Sequence, residues 1–321
     1  MAMSQHGIDF TDRCVGTILG AAFGDALGAP VEGWTPDAIR NEFGEVRDYV
    51  EARLGAGCYT DDTQMLLATG RSLVRCHGVD GAVCASSCAE LFDPDRGYGR
   101  SATAILNALR DGADYRETAT MLFPGGSFGN GAAMRIAPVG LLFEPDDISD
   151  LRRDVAEAVR ATHTHPEAVD GAFLVAVAVA GLSRMADYRS FDPVERLRQY
   201  SSLCHDDQMR ARVGLAADLL SKKVKVDDAV VQLGNGVRTI DSVPTALYLA
   251  FRYIDDPEQA IIESVGAGGD ADTIAAMCGA VVGAMHGAEA LPQRWHDGLE
   301  RGEDGYDALR EVAVQLSELI T

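Results

Sequence analysis

At 321 residues with 47% hydrophobic content, the chain can form one large domain or two and has the apolar residues for a real core, which excludes a disordered chain. A formal charge of -21, from 28 basic and 49 acidic side chains, argues against nucleic acid or an anionic membrane as partner, since both require a basic surface. Seven scattered cysteines (14, 58, 76, 84, 88, 204, 278) without a C-x-x-C pair exclude a disulfide scaffold and a usual structural zinc site.

In chain order, residues 1–10 show no basic segment leading into an apolar one, so no signal peptide is read and a cytoplasmic location is expected. Helical periodicity then predicts helices over 10–28, 63–76, 81–92, 101–109, 151–161, 166–185, 192–203, 209–220, 226–233, 242–253, 257–265, 273–286 and 306–319. Two-residue alternation is brief, as over 49–54, and the expected class is all-α. The longest apolar stretches, 172–182 and 274–285, fall short of the roughly 18 residues that a membrane span needs.

Two of these helices carry glycine stripes. Gly16, Gly20, Gly24 and Gly28 recur every fourth residue, as do Gly279, Gly283 and Gly287. Each helix-interior glycine costs about 0.5 to 1 kcal/mol relative to alanine, and close approach of helix backbones is the expected compensation. Both helices should therefore be central. Asp25, inside the first of them, should be buried and paired, in a supporting role behind the site.

Two acidic phrases lie next to these helices. Thr60-Asp61-Asp62-Thr63 and Gly268-Gly269-Asp270-Ala271-Asp272-Thr273 each run into an apolar helical segment. Threonine and aspartate before such a segment are also what a helix N-cap looks like, and either phrase alone reads as one. A cap needs one oxygen, however, and each phrase supplies several. Taken together, Thr60, Asp61, Asp62, Asp270, Asp272 and Thr273 offer oxygen ligands suited to two hard divalent cations, Mg²⁺ or Mn²⁺, and to two-metal hydrolysis.

Further candidates lie in loops. Glu32, in Gly28-Ala29-Pro30-Val31-Glu32-Gly33-Trp34, is either one more surface carboxylate or one that reaches over the site. Phe123-Pro124-Gly125-Gly126-Ser127-Phe128-Gly129-Asn130-Gly131 has the backbone donors and aromatic rings to seat a pyrophosphate and a base, and residues 93–100 form a similar glycine loop. Thr162-His163-Thr164-His165-Pro166 suits hydrogen bonding better than metal ligation, because no thiol or third histidine is suitably spaced. An adjacent His205-Asp206 pair also occurs in HD phosphohydrolases, but that reading leaves both acidic phrases unexplained.

Tyr59-Thr60-Asp61-Asp62-Thr63-Gln64-Met65, Gly126-Ser127-Phe128-Gly129-Asn130-Gly131-Ala132-Ala133-Met134-Arg135, Thr162-His163 and Gly268-Gly269-Asp270-Ala271-Asp272-Thr273-Ile274-Ala275 together resemble the ADP-ribosylglycohydrolase family, which includes the dinitrogenase-reductase-activating glycohydrolases. The resemblance covers almost the whole chain, from Gly24-Asp25-Ala26-Leu27-Gly28 to Leu291-Pro292. Pro94-Asp95-Arg96-Gly97-Tyr98-Gly99 and the Gly126-to-Gly131 loop are most similar to the ADP-ribosylhydrolase 3 branch.

The resemblance implies an all-α, compact orthogonal helix bundle with residues 1–321 as a single domain. It implies hydrolysis at C1'' of protein-linked ADP-ribose, most similar to the serine-linked activity, with poly(ADP-ribose) or O-acetyl-ADP-ribose as further substrates. ADP-ribosylated proteins would be the partners and ADP-ribose the product. Two Mg²⁺ ions would be held by the threonines and aspartates named above. Glu32 would gate the site and assist catalysis beside Asp62 and Asp270, while Gly99, Gly126, Ser127, Phe128, Gly129, Asn130 and His163 would contact the ligand. Phe128 stands where that branch often has tyrosine, and Ala271 where relatives often have threonine or serine. An arginine-linked substrate, a two-metal phosphoanhydride hydrolase and a non-catalytic ADP-ribose binder are the alternatives.

Overall fold

The computed structural model describes residues 9–186 and 191–320; the expectation drawn from residues 1–10 concerns a segment mostly outside them. The described chain is all-α, and its one β feature is an isolated bridge between Gly129 and Arg238. The helices are α1 (Phe10–Gly28), α2 (Pro36–Phe43), α3 (Asp61–Cys76), α4 (Gly81–Leu91), α5 (Arg100–Arg110), α6 (Tyr115–Thr118), α7 (Ala137–Leu141), α8 (Ile148–Ala158), α9 (Pro166–Ser183), α10 (Pro193–Leu203), α11 (Asp207–Ser221), α12 (Val226–Leu233), α13 (Thr239–Arg252), α14 (Pro257–Gly266), α15 (Ala271–His286), α16 (Gln293–Gly298) and α17 (Tyr306–Glu318).

All thirteen expected helices are present. The additional ones are α2, α6, α7 and α16, of which the last three, at 4, 5 and 6 residues, are too short to display a helical period. For α2 a capping signal was available, since the Thr35 hydroxyl accepts from Ala38 N (3.2 Å) and Pro36 opens the helix. Residues 49–54 form no strand.

The α1–α15 pair is the centre of the molecule. The two helices run antiparallel, and their glycines face one another. A Cβ built on Gly16, Gly20, Gly24 or Gly28 would fall closer than 3.0 Å to the backbone of Gly283, Gly279, Ala275 or Asp272 respectively. Almost every residue of both helices is buried, which is why neither shows a polar face.

The length estimate for apolar segments needs correction. Phe10–Val31 and Pro166–Ser183 are both long and apolar enough to cross a membrane, but 89% and 83% of the apolar window is buried inside the protein. Asp12, Arg13 and Asp25 break the first stretch when it is read as a linear run. The fold spends both segments on its core.

Asp25 links this core to the next helix. It is fully buried on α1 and accepts hydrogen bonds from Thr60 N (3.0 Å), Thr63 N (3.0 Å) and the Thr63 hydroxyl (2.6 Å), so it holds the first turn of α3. Replacing Gly20 by valine should cost about 3 kcal/mol or prevent folding, because the atoms it meets are backbone. Gly181→Ala on α9, where an added Cβ meets nothing within 4 Å, should instead stabilise by about 0.5 to 1 kcal/mol. Urea unfolding of both variants measures the contrast, and equal effects would remove the close-packing argument.

Candidate active site

Each acidic phrase sits where a helix begins. Thr60 is the N-cap of α3 and its hydroxyl accepts from Asp62 N (3.3 Å), so the capping reading is correct for that residue. Asp270 occupies the corresponding position of α15 but makes no side-chain cap. Its carboxylate instead accepts a short hydrogen bond from the Asn130 amide, which also reaches the Ser242 hydroxyl (3.1 Å).

Backbone pairing brings Glu32 to the same place. Gly33 N donates to Gly269 O (2.7 Å) and Gly269 N to Trp34 O (2.8 Å), while Asp270 N donates to Asn235 O (2.8 Å). Gly268 and Gly269 both have positive φ, 64° and 66°, and a Cβ on either would strike the backbone of Trp34 or Asn235. The result is that one carboxylate oxygen from each of Glu32, Asp270 and Asp272 lies within 4.8 Å of the others.

These groups open onto a cavity of about 360 Å³. Glu32, Asp61, Asp62, Asp270, Asp272 and Thr273 line it together with Gly97, Gly99, Arg100, Ser127, Gly129, Asn130 and His163, and Phe123 and Val237 are among its apolar members. Larger cavities of about 550 and 780 Å³ lie elsewhere on the surface, and neither contains this cluster. Chemistry, not volume, singles out the site.

The carboxyls are poorly solvated. Burial raises Asp61 to about 7 and Asp270 and Asp25 to about 6, and pushes Asp62 and Asp272 well above the ordinary carboxyl value. Mutual repulsion adds to burial: Asp272 raises Asp62 across the two phrases, and Asp270 and Glu32 raise Asp272. Asp62 Oδ2 is also buried without a hydrogen-bond partner among the described residues. An all-oxygen set with an orphaned buried oxygen and crowded negative charge fits a hard divalent cation.

Three residues of the expected set do not line this cavity. Thr60 is buried next to the lining residues Asp61 and Asp62. Gly126, at φ 80°, packs against Thr164 and His165, where a Cβ would fall 2.5 Å from the Thr164 hydroxyl. Phe128 is half exposed at the surface, edge-on to His165 with the Arg238 guanidinium 5.0 Å from its ring centroid. Ser127 accepts from Gly129 N (3.1 Å), which shapes the loop.

His205 and Asp206 lie apart from the site. Asp206 caps α11 by accepting from Gln208 N and Met209 N, both 2.9 Å.

Sequence reasoning missed the residues that hold the second loop. Gln64 Oε1 accepts from Asp93 N (3.0 Å) and from the Tyr98 hydroxyl (2.8 Å). Arg96 donates to Tyr59 O (2.8 Å) and pairs with Glu300 (3.0 Å), which itself accepts from Tyr59 N (2.9 Å). Residues 93–98 are thus tied to the segment leading into Thr60. Glu300 is separated from Arg96 by most of the chain, and no local pattern signals the pair.

The family model described as ADP-ribosylglycohydrolase matches residues 6–321. An uncharacterized protein of Archaeoglobus fulgidus is 36% identical over 94% of this chain and 95% of its own length. The ADP-ribosylhydrolase ARH3 of Bos taurus is 31% identical over 95% of this chain and 92% of its own length. Among solved structures, an ADP-ribosylglycohydrolase-related protein complex superimposes with a TM-score of 0.75 at 26% identity, covering 97% of this chain and 99% of the other. The acidic cluster agrees with the metal dependence of this group of glycosidic-bond hydrolases. The chain belongs to the ADP-ribosylglycohydrolase family.

Proposed function

We propose that this chain is a magnesium-dependent hydrolase that releases ADP-ribose from modified proteins by cleaving the C1'' bond of a serine-linked adduct. The observation that carries this reading is the convergence of both acidic phrases and Glu32 on one cavity. Support for the serine linkage comes from the likeness of residues 94–99 and 126–131 to the ADP-ribosylhydrolase 3 branch and from the ARH3 relatives.

Thr60, Asp61, Asp62, Asp270, Asp272 and Thr273 would hold two Mg²⁺ ions. When bound, the ions would relieve the repulsion among these carboxylates, hold the vicinal hydroxyls of the distal ribose and polarise water. Glu32 is exposed on the open side of the cavity, and we assign it proton transfer: the departing serine oxygen gains a proton and the attacking water loses one. The remaining carboxylates oppose the positive charge that develops at C1'' in an oxocarbenium-like state. Ser127, Gly129 and Gly99 line the cavity and are assigned to the diphosphate, and Phe128, exposed outside the lining, is assigned to the adenine side.

Proton and cation should compete for the raised carboxyls. Their folded-state pKa values lie above the ordinary 3.8, so in the metal-free protein their contribution to stability is complete below about pH 4 and is lost as pH rises through 6 to 7. A cation removes that loss. The rise in Tm on adding MgCl₂ to chelator-treated protein should therefore be larger at pH 7.5 than at pH 5.5, as scanning calorimetry would read, and no rise at either pH would exclude the cation site.

Glu32→Ala should bind ADP-ribose within about threefold of the parent while turnover falls about 100-fold or more. Equal losses of binding and rate would make Glu32 a structural or ligating residue. Peptides carrying serine-linked or arginine-linked ADP-ribose, offered with Mg²⁺ and resolved by mass, decide the acceptor: intact ADP-ribose should come from the serine peptide. Release from the arginine peptide alone would reassign the linkage, and AMP as product would replace glycosidic with phosphoanhydride cleavage. Tight ADP-ribose binding with no product from either peptide would mark a binder.

A further inference from the structure

Arg135 lines the cavity and is almost fully buried, yet none of the ion pairs among the described residues includes it. Its hydrogen bonds run to the Thr162 hydroxyl (2.6 Å), Gly131 O (3.2 Å) and the Met65 sulfur (3.6 Å). Burying a guanidinium without an anion is expensive, so its position calls for a purpose beyond packing. Thr162, itself buried, lies 2.8 Å through its hydroxyl from Nδ1 of His163.

The direction of that last hydrogen bond follows from counting protons. The Thr162 hydroxyl accepts from Arg135, which can only donate, and has one hydrogen of its own to give. Its candidates are His163 Nδ1 at 2.8 Å and Val159 O at 3.2 Å. Val159 O already accepts from Thr162 N (3.0 Å) and His163 N (2.9 Å), which makes it the poorer acceptor as well as the more distant one. Nδ1, nearer and without another donor, is the better acceptor for the hydroxyl hydrogen, and that choice puts the proton of the neutral ring on Nε2. That edge of the ring lies against the glycine turn at residues 129–131, where a Cβ on Gly131 would be 3.5 Å from Nε2, and His163, Gly129 and Gly131 all line the cavity.

We propose that Arg135 and Thr162 are positioning residues that hold His163 in the Nε2–H tautomer and so present a fixed N–H donor to the ligand cavity. Burial, reinforced by the Arg135 charge, lowers the His163 pKa to about 3, so the ring stays neutral across the working range. The tautomer stands on geometry alone; the donor's use toward ADP-ribose rests on the function proposed above.

Long-range ¹H–¹⁵N spectra of the histidine rings test the tautomer without substrate, with His163→Asn supplying the assignment. The expected His163 ring has a protonated Nε2 and a bare Nδ1 from pH 8 down to pH 5; a proton on Nδ1, or a mixture, overturns the proposal. Thr162→Val should convert the ring to a mixture of tautomers and weaken ADP-ribose binding about tenfold, with kcat at saturating substrate much less affected, and Thr162→Ser should restore both. An unchanged tautomer and affinity in Thr162→Val overturns it. Should the valine variant not fold, the parent and serine spectra still decide. A parent with the Nε2–H ring that binds no ADP-ribose would sink the functional reading while leaving the relay intact.

Discussion

The backbone contact between α1 and α15 is the constraint on which the site depends. Four glycines on α1 meet Gly283, Gly279, Ala275 and Asp272 at distances no side chain permits, which fixes the axial register of the two helices. The last of these contacts places the end of α1 beside the first turn of α15. From there the chain continues through Ala29–Val31 directly to Glu32, next to Asp270 and Asp272. One turn earlier on α1, Asp25 grips the start of α3. Both acidic phrases and Glu32 are therefore positioned from a single helix.

That precision is used against strong electrostatic opposition. In a chain of net charge -21, the carboxyls of Asp61, Asp62, Asp270 and Asp272 are gathered where burial and mutual repulsion both raise their pKa values. Such a cluster is costly in isolation and becomes favourable when a cation shares it, which is the usual way a buried charge is accommodated. The same cavity also holds the opposite character, in Arg100, the buried Arg135 and the glycine loop residues. Arginines and backbone donors beside the carboxylates suit an anionic ligand. The acidic surface does not need to attract it, because the complementary charge lies inside the cleft.

Much of this arrangement was legible as local chemistry. The surplus of oxygens in Thr60-Asp61-Asp62-Thr63 and Gly269-Asp270-Ala271-Asp272-Thr273, the four-residue glycine period and the lone Asp25 within an apolar helix all carry their meaning in short spans. Features that depend on distant partners were not legible. Asn130 orients Asp270, Glu300 anchors the segment before Thr60, and Arg135 acts on His163 through Thr162. Each of those joins residues whose pairing has no period, cap or motif to announce it.

The amino-acid sequence by itself determined the all-α class, the two helix starts that carry the carboxylates and the family, because helix periodicity and clustered oxygen ligands are properties of neighbouring residues. Tertiary structure alone decided that the exposed Glu32 stands among the carboxylates, that Phe128 stays outside the cavity lining, and that His163 has a defined inner partner. Those outcomes follow from helix register and loop pairing across the whole chain, which are set by packing between segments and not by the composition of any one of them.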